Sequence, residues 1–238
     1  MNPISAQPDL TKAHCNICGG VRSHFIVFEH KEDWREEITD DPRDDITGTD
    51  RYELLKCAGC GHVVFRHSAT HSQNYDDDGK LKEVITYSPP KQVRKKLSLL
   101  STVAGGIQFV MKDVMSDLLD EIYIALHSEC PRIAAMGIRA LIEHVIIDKV
   151  GDQGRFTDNL AEFEKKGFIS SSEKAILDTA LEVGHASIHR DHKPELDVLN
   201  SCLDIVEALI NRLYLWPLQA ESIKRTIPVR NRKRKANP

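Results

Sequence analysis

Two CxxC pairs constrain this chain more than any other feature. They are Cys15 and Cys18 in HCNICGG, and Cys57 and Cys60 in KCAGCGH. Two cysteines three apart bring both sulfurs of one tight turn to face a single ion, and a second such turn completes a tetrahedral four-sulfur site. Gly19 and Gly61 each follow the second cysteine of a pair. A knuckle turn needs positive φ there, which glycine adopts without steric cost. A CxxC disulfide is strained, and nothing else in the chain points to an oxidising compartment. The reading is therefore a Zn2+ site held by Cys15, Cys18, Cys57 and Cys60. Four thiolates leave no open position for substrate, so its role is structural.

The chain has 238 residues, and no run of apolar residues approaches the length of a membrane span. The N-terminus, MNPISAQPDL, has neither a basic region nor an apolar core, so no secretion signal is read and a cytoplasmic location is expected. The formal charge of −4 is uneven. Lys224 to Lys235 holds seven basic residues and no acid, and residues 29–50 hold ten acids against three bases. A basic tail can bind RNA or DNA through phosphates, and it can equally be a solvated terminus.

The expected organisation is a leader over 1–10, a zinc ribbon over 11–70 with an acidic insertion at 29–50, a linker over 71–96, a helical bundle over 97–217 and a basic tail over 218–238. Within the ribbon, Arg22 to Phe28 reads as a strand with Phe25 and Val27 opposed to Ile26 and Phe28. Tyr52 to Leu55 and His62 to Phe65 read as a hairpin. The insertion reads as a solvated loop, and His67 and His71 as exposed loop residues. His14 and His62 adjoin the cysteines and could support them.

Ile107, Val110, Met111, Val114, Met115, Leu118, Leu119, Ile122 and Leu126 form a three-four stripe, predicting a long helix over 107–128. Pro131 suits the first turn of the next helix, to about 149, which is apolar almost all round. A short helix follows from Thr157 with Gly167 as its stop, Ser170 and Glu173 form a capping box, and Pro194 opens the last helix. Cys130 and Cys202 read as small buried hydrophobes. The fold class expected is mainly α: a helical bundle preceded by a small β-rich ribbon.

The segments LLDEIYIAL, AAMGIRALIEHVIIDKVG, FEKKGFIS, VGHASIH and ALINRLYLWP occur in that order. Together they resemble the helical family called domain of unknown function 4145, whose members often carry a ribbon with two CxxC pairs. That family is grouped with HEPN-like domains. The resemblance implies a HEPN-like bundle, a homodimer formed through it, and RNA binding or metal-independent endoribonuclease activity in defence or toxin–antitoxin systems. The HEPN signature is an Arg that holds phosphate and a following His that moves a proton.

Two positions compete for that signature. Arg139 and His144 fit the spacing, but five residues on a helix set their side chains about 140° apart. Arg139 and Glu143 are at ion-pair spacing, and a structural pair is the expectation. In LEVGHASIHRD, His189 matches the terminal His and Gly184 the Gly. Glu182 stands where the Arg is expected, and a carboxylate there repels the phosphate. His185 and His189 are four apart and can share a face. The leading reading is a nucleic-acid- or partner-binding regulatory module. The alternative is a ribonuclease using His189 with His185, Arg139 or His144.

Overall fold

The computed structural model describes residues 9–103, 106–109 and 113–228. The chain divides into two compact units, Met1–Val93 and Arg94–Pro238.

The first unit is a five-stranded antiparallel sheet in the order β1-β2-β3-β4-β5. The strands are β1 Leu10–His14, β2 Val21–Glu36, β3 Ile46–Cys57, β4 Val63–His71 and β5 Val84–Ser88. The acidic segment is not a loop. It forms the outer arms of β2 and β3, paired from Glu29↔Glu53 to Glu36↔Ile46. A short helical turn, Pro42–Asp44, lies in the connection between the arms. Ion pairs make so acidic a hairpin tolerable: Arg35 with Asp45, Arg51 with Glu29 and Lys31 with Asp33. His67 and His71 lie within β4, half-buried, and part of the segment read as a linker is strand β5.

Strand β2 departs from simple alternation. The register shifts between Ile26 and Phe28, so that Ile26 opposes Leu55 and Phe28 opposes Leu54. Val27 is the extra residue of a bulge, which puts Phe25 and Phe28 on the same face. Ile26 remains on the opposite face, with the small core of Ala13, Leu55, Val64 and Tyr87. Without that extra residue, Phe28 would turn into this core.

The second unit opens with a two-stranded hairpin, β6 Leu100–Val103 and β7 Gly106–Phe109. Helices follow: α1 Asp113–His127, α2 Pro131–Val150, α3 Phe156–Lys165, α4 Ser171–His189 and α5 Leu196–Ile210. A π-helical turn, Asn211–Leu215, leads into α6 Trp216–Thr226. The expected helix over 107–128 is thus shortened at its start: 107–109 are strand, and 110–112 lie outside the described residues. Helix α2 is central, with Ala134, Ile138, Leu141, Ile142, Val145 and Ile146 all buried. Gly167 has φ of 77°, and the Ser170–Glu173 capping box forms. Cys202 is buried as expected, but Cys130 is exposed at the start of α2.

The expectation of a mainly α fold is overturned. Among the described residues, six α-helices stand beside a five-stranded sheet and a two-stranded hairpin. The sheet extends beyond the expected ribbon because the acidic segment and part of the linker pair as strands. No helix among the described residues is long and apolar enough to cross a membrane.

Candidate functional site

The ends of two hairpins in the first unit build the four-cysteine site. Each knuckle makes the same pair of backbone bonds. Cys15 N–H donates to Gly20 O at 3.0 Å and Gly19 N–H to Cys15 O at 2.9 Å; Cys57 N–H donates to His62 O at 2.8 Å and Gly61 N–H to Cys57 O at 2.9 Å. The chain reverses at Gly19 (φ 69°) and Gly61 (φ 75°). Pairing of β2 with β3 then sets the two knuckles side by side, with His24 opposite Cys57.

All four sulfurs lie within 4.8 Å of one another. Cys15 Sγ is 3.5 Å from Cys60 Sγ, and Cys18 Sγ is 3.9 Å from Cys57 Sγ. A tetrahedron with metal–sulfur bonds of about 2.3 Å has edges of about 3.8 Å. The donor set therefore fits a metal ion. Cys15 and Cys57 are buried, whereas Cys18 and Cys60 are exposed. Backbone N–H groups of Cys60 and Gly59 pull the Cys57 thiol down to about 7. Hydrogen bonding to the Cys60 thiol, then desolvation, pushes Cys18 up to about 12.

Sequence reading missed two supports of this site. Asn16, inside the first knuckle, donates from Nδ2 to Pro90 O at 2.9 Å and accepts from Gln92 N–H at 2.9 Å. It fastens the segment after β5 to the knuckle. Arg66 and the buried Glu53 tie β1 to the middle of the sheet. The Nε2 atoms of His14, His24 and His62 are buried and find no hydrogen-bond partner among the described residues.

In the second unit, α4 carries the other candidates. His185 and His189 do share a face, with ring centroids 4.6 Å apart. Arg190 folds back from the helix end onto Glu182, and its Nη2 lies 3.4 Å from His185 Nδ1. The guanidinium holds the Glu182 carboxyl below the usual range. A groove of about 810 Å³ beside α4 is lined by Asp178, Thr179, Glu182, Val183, Ala186, Arg190 and His192. His185 and His189 are not among the residues lining it.

Arg139 reaches α4 from α2, near enough to Glu182 for its charge to help lower that carboxyl. It donates to Leu181 O at 3.2 Å, and its guanidinium lies over the Phe156 ring at 5.1 Å. Among the described residues it makes no ion pair with Glu143, so the expected pair is replaced by a helix-bridging bond from α2 to α4. His144 is exposed, on another side of α2. Lys224 and Arg225 fall in the last turn of α6, and residues 229–238 of the basic tail lie outside the described residues.

No curated protein and no solved structure matches the chain. A family match does exist, and it falls on the helices: residues 120–230 match the family described as Domain of unknown function (DUF4145). Over those residues, just under half of the chain, the helical region is similar to the DUF4145 family.

Proposed function

We propose that the chain is a binding module in which a structural zinc ion shapes the sheet. The basic segment 224–235 and the sheet engage nucleic acid or a partner protein, and the helical bundle forms a homodimer. Zinc suits four thiolates converging at tetrahedral spacing, and such a closed site leaves no position for a reacting group. The observation carrying the non-catalytic reading is the Arg190–Glu182 pair. The Arg190 guanidinium beside His185 is already paired with a carboxylate, so a phosphate arriving there must compete with Glu182 for it.

One observation favours a metal-independent ribonuclease as a second reading. Two imidazoles and a guanidinium do gather at the end of α4, and histidine is suited to moving a proton near neutral pH. Incubation of zinc-loaded protein with total RNA and with a tRNA pool, with and without EDTA, separates the readings. The binding-module reading expects no cleavage above that of His189→Ala. Cleavage that survives EDTA and disappears in His189→Ala overturns it.

A further inference from the structure

The bulge at Val27 leaves one face of the sheet unusually apolar. Across β1 to β4 the register aligns Leu10, Phe25, Lys56 and Val63, then Phe28, Leu54 and Phe65. Leu10 is 62% exposed, Phe28 59%, Val63 45% and Phe65 38%. The next row is a ladder of rings: Tyr52 stacks on His67 at 4.7 Å and lies 6.3 Å from His30. Beyond it, Asp50 accepts from Trp34 Nε1 at 2.6 Å and is bonded to His67 Nε2 at 2.5 Å. A contiguous exposed apolar patch of this kind marks an interaction surface.

Charge selects the occupant. The arms and tip of the same hairpin, residues 29–50, hold ten acids and three bases. Glu36, Glu37 and Asp40 are exposed, and none of them is ion-paired with a described residue. Phosphates are repelled by this end, whereas lysine and arginine are drawn to it. From Phe28 to Glu36 is eight residues along β2, a span of about 27 Å at roughly 3.4 Å per residue.

We propose that this face docks a basic polypeptide segment: large apolar side chains seat on Phe28, Leu54 and Phe65, and a Lys/Arg run lies against the acidic hairpin. The inference rests on the binding-module reading and names a partner class for the sheet. It lies outside the residues matched by the helical family.

The test uses the full zinc-loaded chain and a labelled synthetic peptide. The peptide has alternating Leu and Phe at one end and a Lys/Arg run about eight residues away, matching the span at roughly 3.4 Å per residue. Binding is followed by fluorescence anisotropy. Phe28→Ser with Phe65→Ser is expected to weaken binding about tenfold or more, as loss of anchor residues does. Glu36→Gln, Glu37→Gln and Asp40→Asn together are expected to weaken it several-fold and to flatten its salt dependence. Zinc content and circular dichroism must match the parent for either variant to count. Affinity untouched by both variants overturns the proposal. So does tighter binding of a single-stranded RNA through Phe28 and Phe65, or a dimer in sedimentation equilibrium that Phe28→Ser dissolves. The first two outcomes leave the binding-module reading standing, since His189-dependent RNA cleavage tests it separately; the third would also move the homodimer contact from the helical bundle to the sheet.

Discussion

Arg66 and Glu53 form a two-pronged ion pair across neighbouring strands, with Nε to Oε2 at 2.6 Å and Nη2 to Oε1 at 2.8 Å. Glu53 is 1% exposed. Arg66 also reaches β1, donating to Lys12 O and Thr11 Oγ1, both at 3.0 Å. The sheet's hydrophobic core is small, so this pair carries part of what a larger core would supply. Removing one partner strands a buried charge. Arg66→Ala is expected to cost about 3–5 kcal/mol, and Glu53→Leu with Arg66→Met to recover much of it. Urea unfolding in a Trp216→Phe background reads this out, since Trp34 then reports the sheet alone.

Gly184 meets α2 at close range. A Cβ there would lie 2.8 Å from both the Ala135 carbonyl oxygen and the Arg139 Cβ. Neither atom can move without shifting the α2 backbone, so Gly184→Ala is expected to cost about 1–3 kcal/mol. Thermal unfolding followed at 222 nm checks it. Little change would mean that the helices separate easily.

The sequence exposed what local chemistry decides and hid what pairing decides. Ser170 and Glu173 were legible as a helix start because both partners sit within one turn. The cysteine pairs were legible because a knuckle is a local motif, and their convergence follows from the donor chemistry. Ile107 misled because it continues an apolar helical period; that it pairs with Thr102 in a hairpin is information only the partner strand holds. The acidic arms misled because charge reads as solvation, while their order comes from the facing strand. Phe28 misled because no alternation pattern announces a bulge. Arg139 was read toward its own helix, whereas Leu181 O on α4 is the acceptor it finds.

Glu173 ties helix stability to pH. The Ser170 backbone N–H, then the Ser170 hydroxyl, holds its carboxyl below the usual range. With a lowered folded-state pKa, the contribution is fully present above the ordinary carboxylate value and is lost as pH falls through the depressed one. Glu173→Ala is expected to destabilise the helices by about 1 kcal/mol near neutrality. That difference should shrink as pH falls through the depressed value, because protonation removes the charge in both states. Denaturation of both proteins across acid pH measures it. A difference that persists in acid would assign the effect to lost contacts, among them the bond from Arg212.

Metal removal should act on the sheet. One zinc per chain is expected by elemental analysis, with Cys57→Ser lowering the content and unfolding the first unit, seen as loss of the Trp34 signal. Helical dichroism should survive, since all four ligands lie within Met1–Val93. Ligands bind as thiolates, so entry of the ion expels protons. The Cys57 thiol, pulled down to about 7, gives up its proton more readily than the Cys18 thiol, pushed up to about 12. Apparent affinity should therefore rise with pH, and calorimetry in two buffers of different ionisation enthalpy should register proton release. Full zinc content in Cys57→Ser, with the Trp34 signal unchanged, would mean that the four sulfurs do not act as one site.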